Sequence, residues 1–195
     1  LVCNNEYTQA QVTIEPDFSN GSFFLNMKEL NRIKITNLKI AKTEQGDYEY
    51  QNMLKKYKGN EKEITFNMGK YPDLVIPLAF LASIKNNKKT VISGLEKLKY
   101  KESNRITSIV KTLKTLGAHI IYFNNTLYIE GQKSLPGGKS IDSFNDHRII
   151  MGVVSIMKRI KEPIIIENCE AVSKSFPEFF RIYALIGGKY DFIVS

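Results

Sequence analysis

The sequence predicts an α/β fold, with three repeated α/β units packed as one domain. Three observations predict it. One order of parts, helix then strand then helix then strand, occurs three times along the 195 residues. Each copy opens at an aspartate, Asp17, Asp73 or Asp146, and the distance from it to the turn after the next strand (Asn37, Gly94, Asn168) agrees closely. Within each copy the apolar spacing switches between helical and strand periods.

In the first unit, taken as about residues 11–68, Asp17 opens the helix "SNGSFFLNMKEL", followed by the strand "RIKITNL", the helix "DYEYQNMLKKYK" and the strand "EITFNM". In the second, about 69–133, Asp73 opens "LVIPLAFLASIKN", followed by "KTVISGL", the helix "SNRITSIVKTLKTLG" and the strands "AHIIYF" and "TLYIEG". In the third, about 138–195, Asp146 opens "HRIIMGVVSIMKRIK", followed by "PIIIENC", the helix "FPEFFRIYALIGG" and the strand "YDFIV". Ile106, Ile109, Val110, Leu113 and Leu116 form a helical stripe that stops at Gly117, a residue suited to the left-handed turn after a helix. The first helix of each unit is the more apolar and belongs inside; the second is more amphipathic and belongs outside. Residues 1–10 read as an incoming connector, and "KYKGNEKE" and "GQKSLPGGK" as turns.

Composition narrows the function. No segment approaches the roughly 18 to 20 uninterrupted apolar residues of a membrane helix. Two cysteines, Cys3 and Cys169, lack metal-ligand spacing and exclude a disulfide framework. The opening "LVCNNEYTQAQ" resembles neither a signal nor a transit peptide, and it reads as a cut inside a longer cytoplasmic protein. A net charge of +8 favours an anionic partner without choosing among nucleic acid, an acidic membrane and a phosphorylated metabolite.

The informative cations stand at helix entrances, where the dipole disfavours them. With Ser103 as cap, Arg105 falls in a first turn and Lys101 just before it. Arg148 lies in a first turn behind a cap at Asn145 or Asp146. Lys174 stands outside a capping box predicted from Ser175 and Glu178. Such placements make sense when an anion is shared between cations and free backbone N–H groups. Glu102, flanked by Lys101 and Arg105, suits either proton exchange with a substrate or a structural ion pair. Asp73 is either a helix cap or part of the same cradle. His147 is a proton carrier or a supporting donor, while His119, on an alternating strand, and Cys169, with no base near it, read as structural.

From "VTIEPDFSNGSFFL" through "YPDLVIPLAFLA", "LKYKESNRI" and "FNDHRIIM" to "SKSFPEFF", the chain resembles the 5-enolpyruvylshikimate-3-phosphate synthase family over nearly its whole length. The motifs occur in the family's order and approximate spacing. The resemblance implies the enolpyruvyl transferase fold, an inside-out α/β barrel whose two domains each contain three such units. Residues 11–195 would be the C-terminal domain, with the N-terminal domain absent and one strand, taken in the family from the extreme N-terminus, missing from a sheet edge. It also implies transfer of the enolpyruvyl group of phosphoenolpyruvate to the 5-hydroxyl of shikimate 3-phosphate, by addition and then elimination of phosphate, with no metal and no organic cofactor.

By the same resemblance, Asp73 contacts the shikimate hydroxyls and acts as base. Glu102 serves as acid and base at the methylene carbon. Lys101 lies near shikimate 3-phosphate; Arg105, Arg148 and Lys174 grip phosphoenolpyruvate; Asp146 and His147 support them. The implied partners are these two substrates and the absent domain, in a cytoplasmic monomer with no nucleic acid and no membrane. The fragment alone is expected to be inactive. Departures from the family pattern are Asn104 in place of aspartate, Pro16 and Gly21 in place of glycine and alanine, and Lys97 where some members have asparagine. The rivals are the transferase acting on UDP-N-acetylglucosamine and a basic RNA-binding α/β repeat domain.

Overall fold

A helix made mostly of apolar residues has little surface to offer water, and the more apolar first helices of the three units are expected to cover each other. In the computed structural model, which describes residues 11, 13–31, 33–38 and 43–193, they do. Helices α1 (Phe18–Leu30), α3 (Val75–Ser83) and α5 (His147–Ser155) pack together at the centre. Every residue of α3 is buried, as is every residue of α5 except Arg148. Gly152 allows their close approach, because a Cβ there would stand 2.8 Å from the Phe80 ring. The Asp17 carboxylate caps α1 by accepting from the Asn20 amide at 2.9 Å, and Asp146 caps α5 through the Arg148 amide at 3.0 Å.

The outer helices are α2 (Tyr50–Lys56), α4 (Arg105–Thr115) and α6 (Phe179–Leu185). Helix α4 buries Ile106, Ile109 and Leu113 and exposes Thr107, Lys111 and Lys114, the amphipathic pattern expected of it. Gly117 follows it with φ +90°, as a helix-stopping glycine should.

Strands β1 (Glu63–Asn67), β2 (Lys89–Ser93), β3 (His119–Phe123) and β4 (Thr126–Glu130) form one sheet in the order β1-β2-β4-β3. Its β1–β2 pair is parallel and the others are antiparallel, so the sheet combines the first unit's last strand with three from the second. Asn124 and Asn125, at φ 44° and 55°, make the two-residue hairpin between β3 and β4. Two small parallel sheets pair β5 (Leu135–Gly137) with β7 (Ile160–Glu162) and β6 (Ser140–Asp142) with β8 (Ile165–Glu167). Among the described residues, no helix is long and apolar enough to cross a membrane.

Four expectations are corrected. The helix predicted through Lys161 ends at Ser155, and after a 3-10 turn at Met157–Arg159 the chain becomes β7. The predicted turn 131–139 contains β5, which is a strand only through its ladder to β7. Residues 33–38 of the predicted strand 32–38 join no ladder, and Arg32 lies outside the described residues. Residues 190–193 also join none, because Tyr190 and Phe192 pack on the Phe180 ring, with centroids 5.1 and 5.8 Å away. Val194, the connector 1–10 and Cys3 lie outside the described residues.

Candidate active site

The entrances of α3 and α5 meet beside the start of α4, and Arg105 joins them. Its Nε donates to Asp146 at 2.9 Å, its Nη1 to Asp73 at 2.6 Å and its Nη2 to Glu102 at 2.5 Å. A guanidinium has five N–H donors, and three of Arg105's are thus engaged. The Arg105 side chain is 1% exposed, and a cation removed from water to that degree persists only when paired.

Local sequence explains how Arg105 arrives there. A 3-10 turn at Glu96–Tyr100 leads into a bend, and Asn104, in place of the predicted Ser103, caps α4 by accepting from the Thr107 amide at 3.3 Å. The departure from the family pattern at position 104 therefore falls on a cap. Ser103 is left to donate to Asp146 at 3.0 Å, a contribution the sequence reading missed. The signal for it was present, since two adjacent cap-forming residues cannot both cap one helix.

Lys101 Nζ lies 3.3 Å from the Asp73 carboxylate, and Arg148 Nε lies 3.8 Å from it. Asp73 does not cap α3, which follows a 3-10 turn at Pro72–Leu74 without a side-chain cap, so its carboxylate remains available to these three cations. Lys174 reaches the mouth of α5 from the other side, donating to Asn145 Oδ1 at 2.7 Å and to the Asn145 carbonyl at 3.2 Å. The predicted capping box does not form: Ser175 Oγ accepts from Asn20 at 3.2 Å, while Glu178 pairs with Arg181. That Ser175–Asn20 bond ties the entrance of α1 to the same face. His147 lies with its Nδ1 3.9 Å from Asp146.

Burial alone would push the Asp73 carboxyl up, but Arg148, Lys101 and Arg105 together hold it below its usual value. Asp146 is likewise held down against its own burial, by Arg105, the Arg148 amide and Ser103. Burial and the neighbouring Arg148 push His147 below the ordinary histidine range, so it is neutral at pH 7. Arg148 is lowered by burial, which Asp73 only partly offsets.

The cluster thus sets three cations (Lys101, Arg105, Arg148) against three carboxylates (Asp73, Glu102, Asp146), at the dipole-positive ends of buried helices. Asp73 and Glu102 have side chains 31% and 49% exposed, whereas Asp146 is sealed at 0%. With Lys174 at the mouth of α5 the cations outnumber the carboxylates by one, an arrangement able to hold a small anion beside two reachable carboxylates that can take or give a proton.

Comparison with known proteins agrees with this reading of the fold. The chain superposes on a solved EPSP synthase from Acinetobacter baumannii with a TM-score of 0.73 at 21% identity, covering 93% of this chain and 48% of that one. The inner helices and surrounding sheets are those of an α/β enolpyruvyl transferase domain. A family model for EPSP synthase (3-phosphoshikimate 1-carboxyvinyltransferase) matches residues 3–182, and the chain belongs to that family. Curated relatives named 3-phosphoshikimate 1-carboxyvinyltransferase include one from Clostridium botulinum, 33% identical over 203 aligned residues, and one from Clostridioides difficile, 34% identical. Each alignment takes in 96% of this chain and 46% of the relative, so the chain spans about half the length of the curated relatives it matches.

Proposed function

We propose that this chain is the C-terminal half, over residues 11–195, of a cytoplasmic enzyme that transfers the enolpyruvyl group of phosphoenolpyruvate to the 5-hydroxyl of shikimate 3-phosphate. The observation that supports it most is the Arg105 hub, which gathers Asp73, Glu102 and Asp146 around one buried cation beside Lys101 and Arg148. Two anionic substrates and a departing phosphate need fixed positive groups, and a preorganised cluster supplies them without reorganisation during the reaction.

In this reading Asp73, kept ionised by its three cations, accepts the proton of the attacking hydroxyl. Glu102, about half exposed, takes up a proton from solvent before closure, delivers it to the methylene carbon during addition and recovers one during elimination. Lys101 neutralises shikimate 3-phosphate. Arg105, Arg148 and Lys174 hold phosphoenolpyruvate in the assembled enzyme, and Asp146 and His147 hold the arginines in place. The rest of the substrate contacts come from the other half, whose closure excludes water and aligns the reactants.

The test is phosphate release from both substrates by the full-length enzyme, by its Asp73→Asn and Glu102→Gln variants and by this chain alone. Each variant is expected to lose about a hundredfold or more in kcat, and the chain alone to be inactive. Undiminished turnover in both variants, or turnover with UDP-N-acetylglucosamine as acceptor, would remove the reading.

A further inference from the structure

Lys101 and Glu102 stand on a short bend between two buried anchors, Leu98 in the 3-10 turn and Arg105 at the start of α4. Between those anchors the chain packs little: Tyr100 is 87% exposed, and Lys99, Glu102 and Asn104 are exposed as well. The main chain does not hold it either. Among the described residues, the N–H groups of Lys101, Glu102, Ser103 and Asn104 reach no main-chain acceptor. A segment with so few contacts opens at little cost unless its side chains tie it down.

Four side chains do so here. Lys101 pairs with Asp73, Glu102 with Arg105, Ser103 donates to Asp146 Oδ2 at 3.0 Å, and Asn104 accepts from the Thr107 amide. The Asn104 bond stays within its own helix and fixes the bend to nothing else. Lys101 and Glu102 hold through charges that the proposed reaction assigns to the substrates. Ser103 alone among the four reaches another unit and has no substrate task. Its acceptor is a firm one, because Asp146 is fully buried and also accepts from Arg105 Nε and from the Arg148 amide at the entrance of α5.

The direction of the Ser103 hydroxyl follows from its neighbours. Ser108 Oγ lies 3.2 Å from Ser103 Oγ and 3.2 Å from the Asn104 carbonyl, so it has an acceptor without the Ser103 proton. An ionised carboxylate accepts and cannot donate, and a hydrogen bond to it is stronger than one between neutral groups. The Ser103 proton therefore points at Asp146.

We propose that Ser103 is a positioning residue: its hydroxyl pins the bend to the sealed Asp146 and keeps Lys101 and Glu102 at the cluster when substrate takes up their charges. The pinning is independent of the proposed function, and only its effect on turnover rests on that reading.

Three replacements in the full-length enzyme test it. Ser103→Ala removes the hydroxyl, Ser103→Cys keeps a similar shape with only a weak donor, and Ser103→Thr keeps the hydroxyl. The 15N order parameters of the Lys101 and Glu102 amides should fall from about 0.85 to below about 0.6 in the alanine and cysteine variants and stay high in the threonine variant. The amide of Ile109, inside α4, should not change in any of them. Unchanged order at 101 and 102 in the alanine and cysteine variants overturns the proposal, as does loosening that extends equally to Ile109 or that threonine fails to prevent.

The second measurement is turnover. The alanine and cysteine variants should lose about tenfold in kcat, the loss of one hydrogen bond to a charged group. KM for phosphoenolpyruvate should stay within about twofold, since Arg148 and Lys174 keep their partners. Threonine should restore kcat. A loosened bend with undiminished kcat keeps Ser103 as the pin and counts instead against Glu102 as the acid and base.

Discussion

Asp146→Asn tests the Arg105 hub most directly, because it removes one charge and almost no volume from a fully buried position. Asp146 accepts from Arg105 Nε at 2.9 Å, from Ser103 Oγ at 3.0 Å and from the Arg148 amide at 3.0 Å. Breaking a buried ion pair costs about 3–5 kcal/mol, since the remaining charge is left unpaired. Two features bring the value to the lower end, about 3 kcal/mol: Asp73 and Glu102 still face Arg105, and the asparagine oxygen still serves one or two of the donors. For a chain of this length each kcal/mol moves the midpoint by about 2–4 °C, so thermal unfolding should shift down by about 6–12 °C. Urea unfolding followed by far-ultraviolet circular dichroism should show the loss at an unchanged slope.

The pH dependence follows from the depressed folded-state pKa of Asp146. Its contribution is complete above the unfolded-state value of about 3.9 and fades as pH falls below that toward the folded-state value. The gap between parent and variant should therefore narrow in acid. A loss below about 1 kcal/mol at pH 7, the range of an exposed pair, would refute the hub as a structural necessity.

Gly152→Ala should destabilise by about 1–3 kcal/mol through overpacking, because the new methyl meets the Phe80 ring at 2.8 Å and Ile76 at 3.1 Å. Helix propensity offsets at most about 1 kcal/mol of that, and a raised melting temperature would show that α3 and α5 can separate freely. His147 should titrate below about 6.5 by NMR, since burial and Arg148 disfavour its charged form. The unfolded chain then takes up this proton first, so stability falls as pH drops from about 6.5 toward the folded-state value; a midpoint above 6.5 would contradict the assignment. Cys169 is raised by burial and by Glu170 and should react with iodoacetamide at pH 7 more slowly than glutathione, in a Cys3→Ser background; faster labelling would point to an activated thiol.

What the sequence could disclose followed the physics of each element. The inner helices were readable because each is the more apolar helix of its unit and an aspartate stands at or just before its entrance. Strands β5 and β7 were not, because a three-residue parallel ladder exists only through its partner, and the apolar spacing of Met157 and Ile160 continues that of α5. Residues 190–193 have strand composition, yet a strand needs an edge to join, and there the aromatic contacts with Phe180 hold the chain.

At the cluster, the residue types and their placement at helix entrances were legible from "LKYKESNRI" and "FNDHRIIM". The depth of Arg105 was not, since a first-turn arginine looks like a surface cation until Asp73, from the start of its own unit, and Asp146, from the third, close over it. Nor was the choice of cap: Ser103 and Asn104 are both good caps, and the choice goes with Asp146, which takes the serine hydroxyl from another part of the chain.

The balance of three positive and three negative groups also governs how salt should act. Opposite charges held this close nearly cancel at a distance, so an anion far from the site feels little of the cluster itself. They feel the +8 carried by the rest of the chain, and salt screens that over a Debye length of about 8 Å at 0.15 M. Raising ionic strength should therefore slow the arrival of anions while changing the hold of the buried cluster far less.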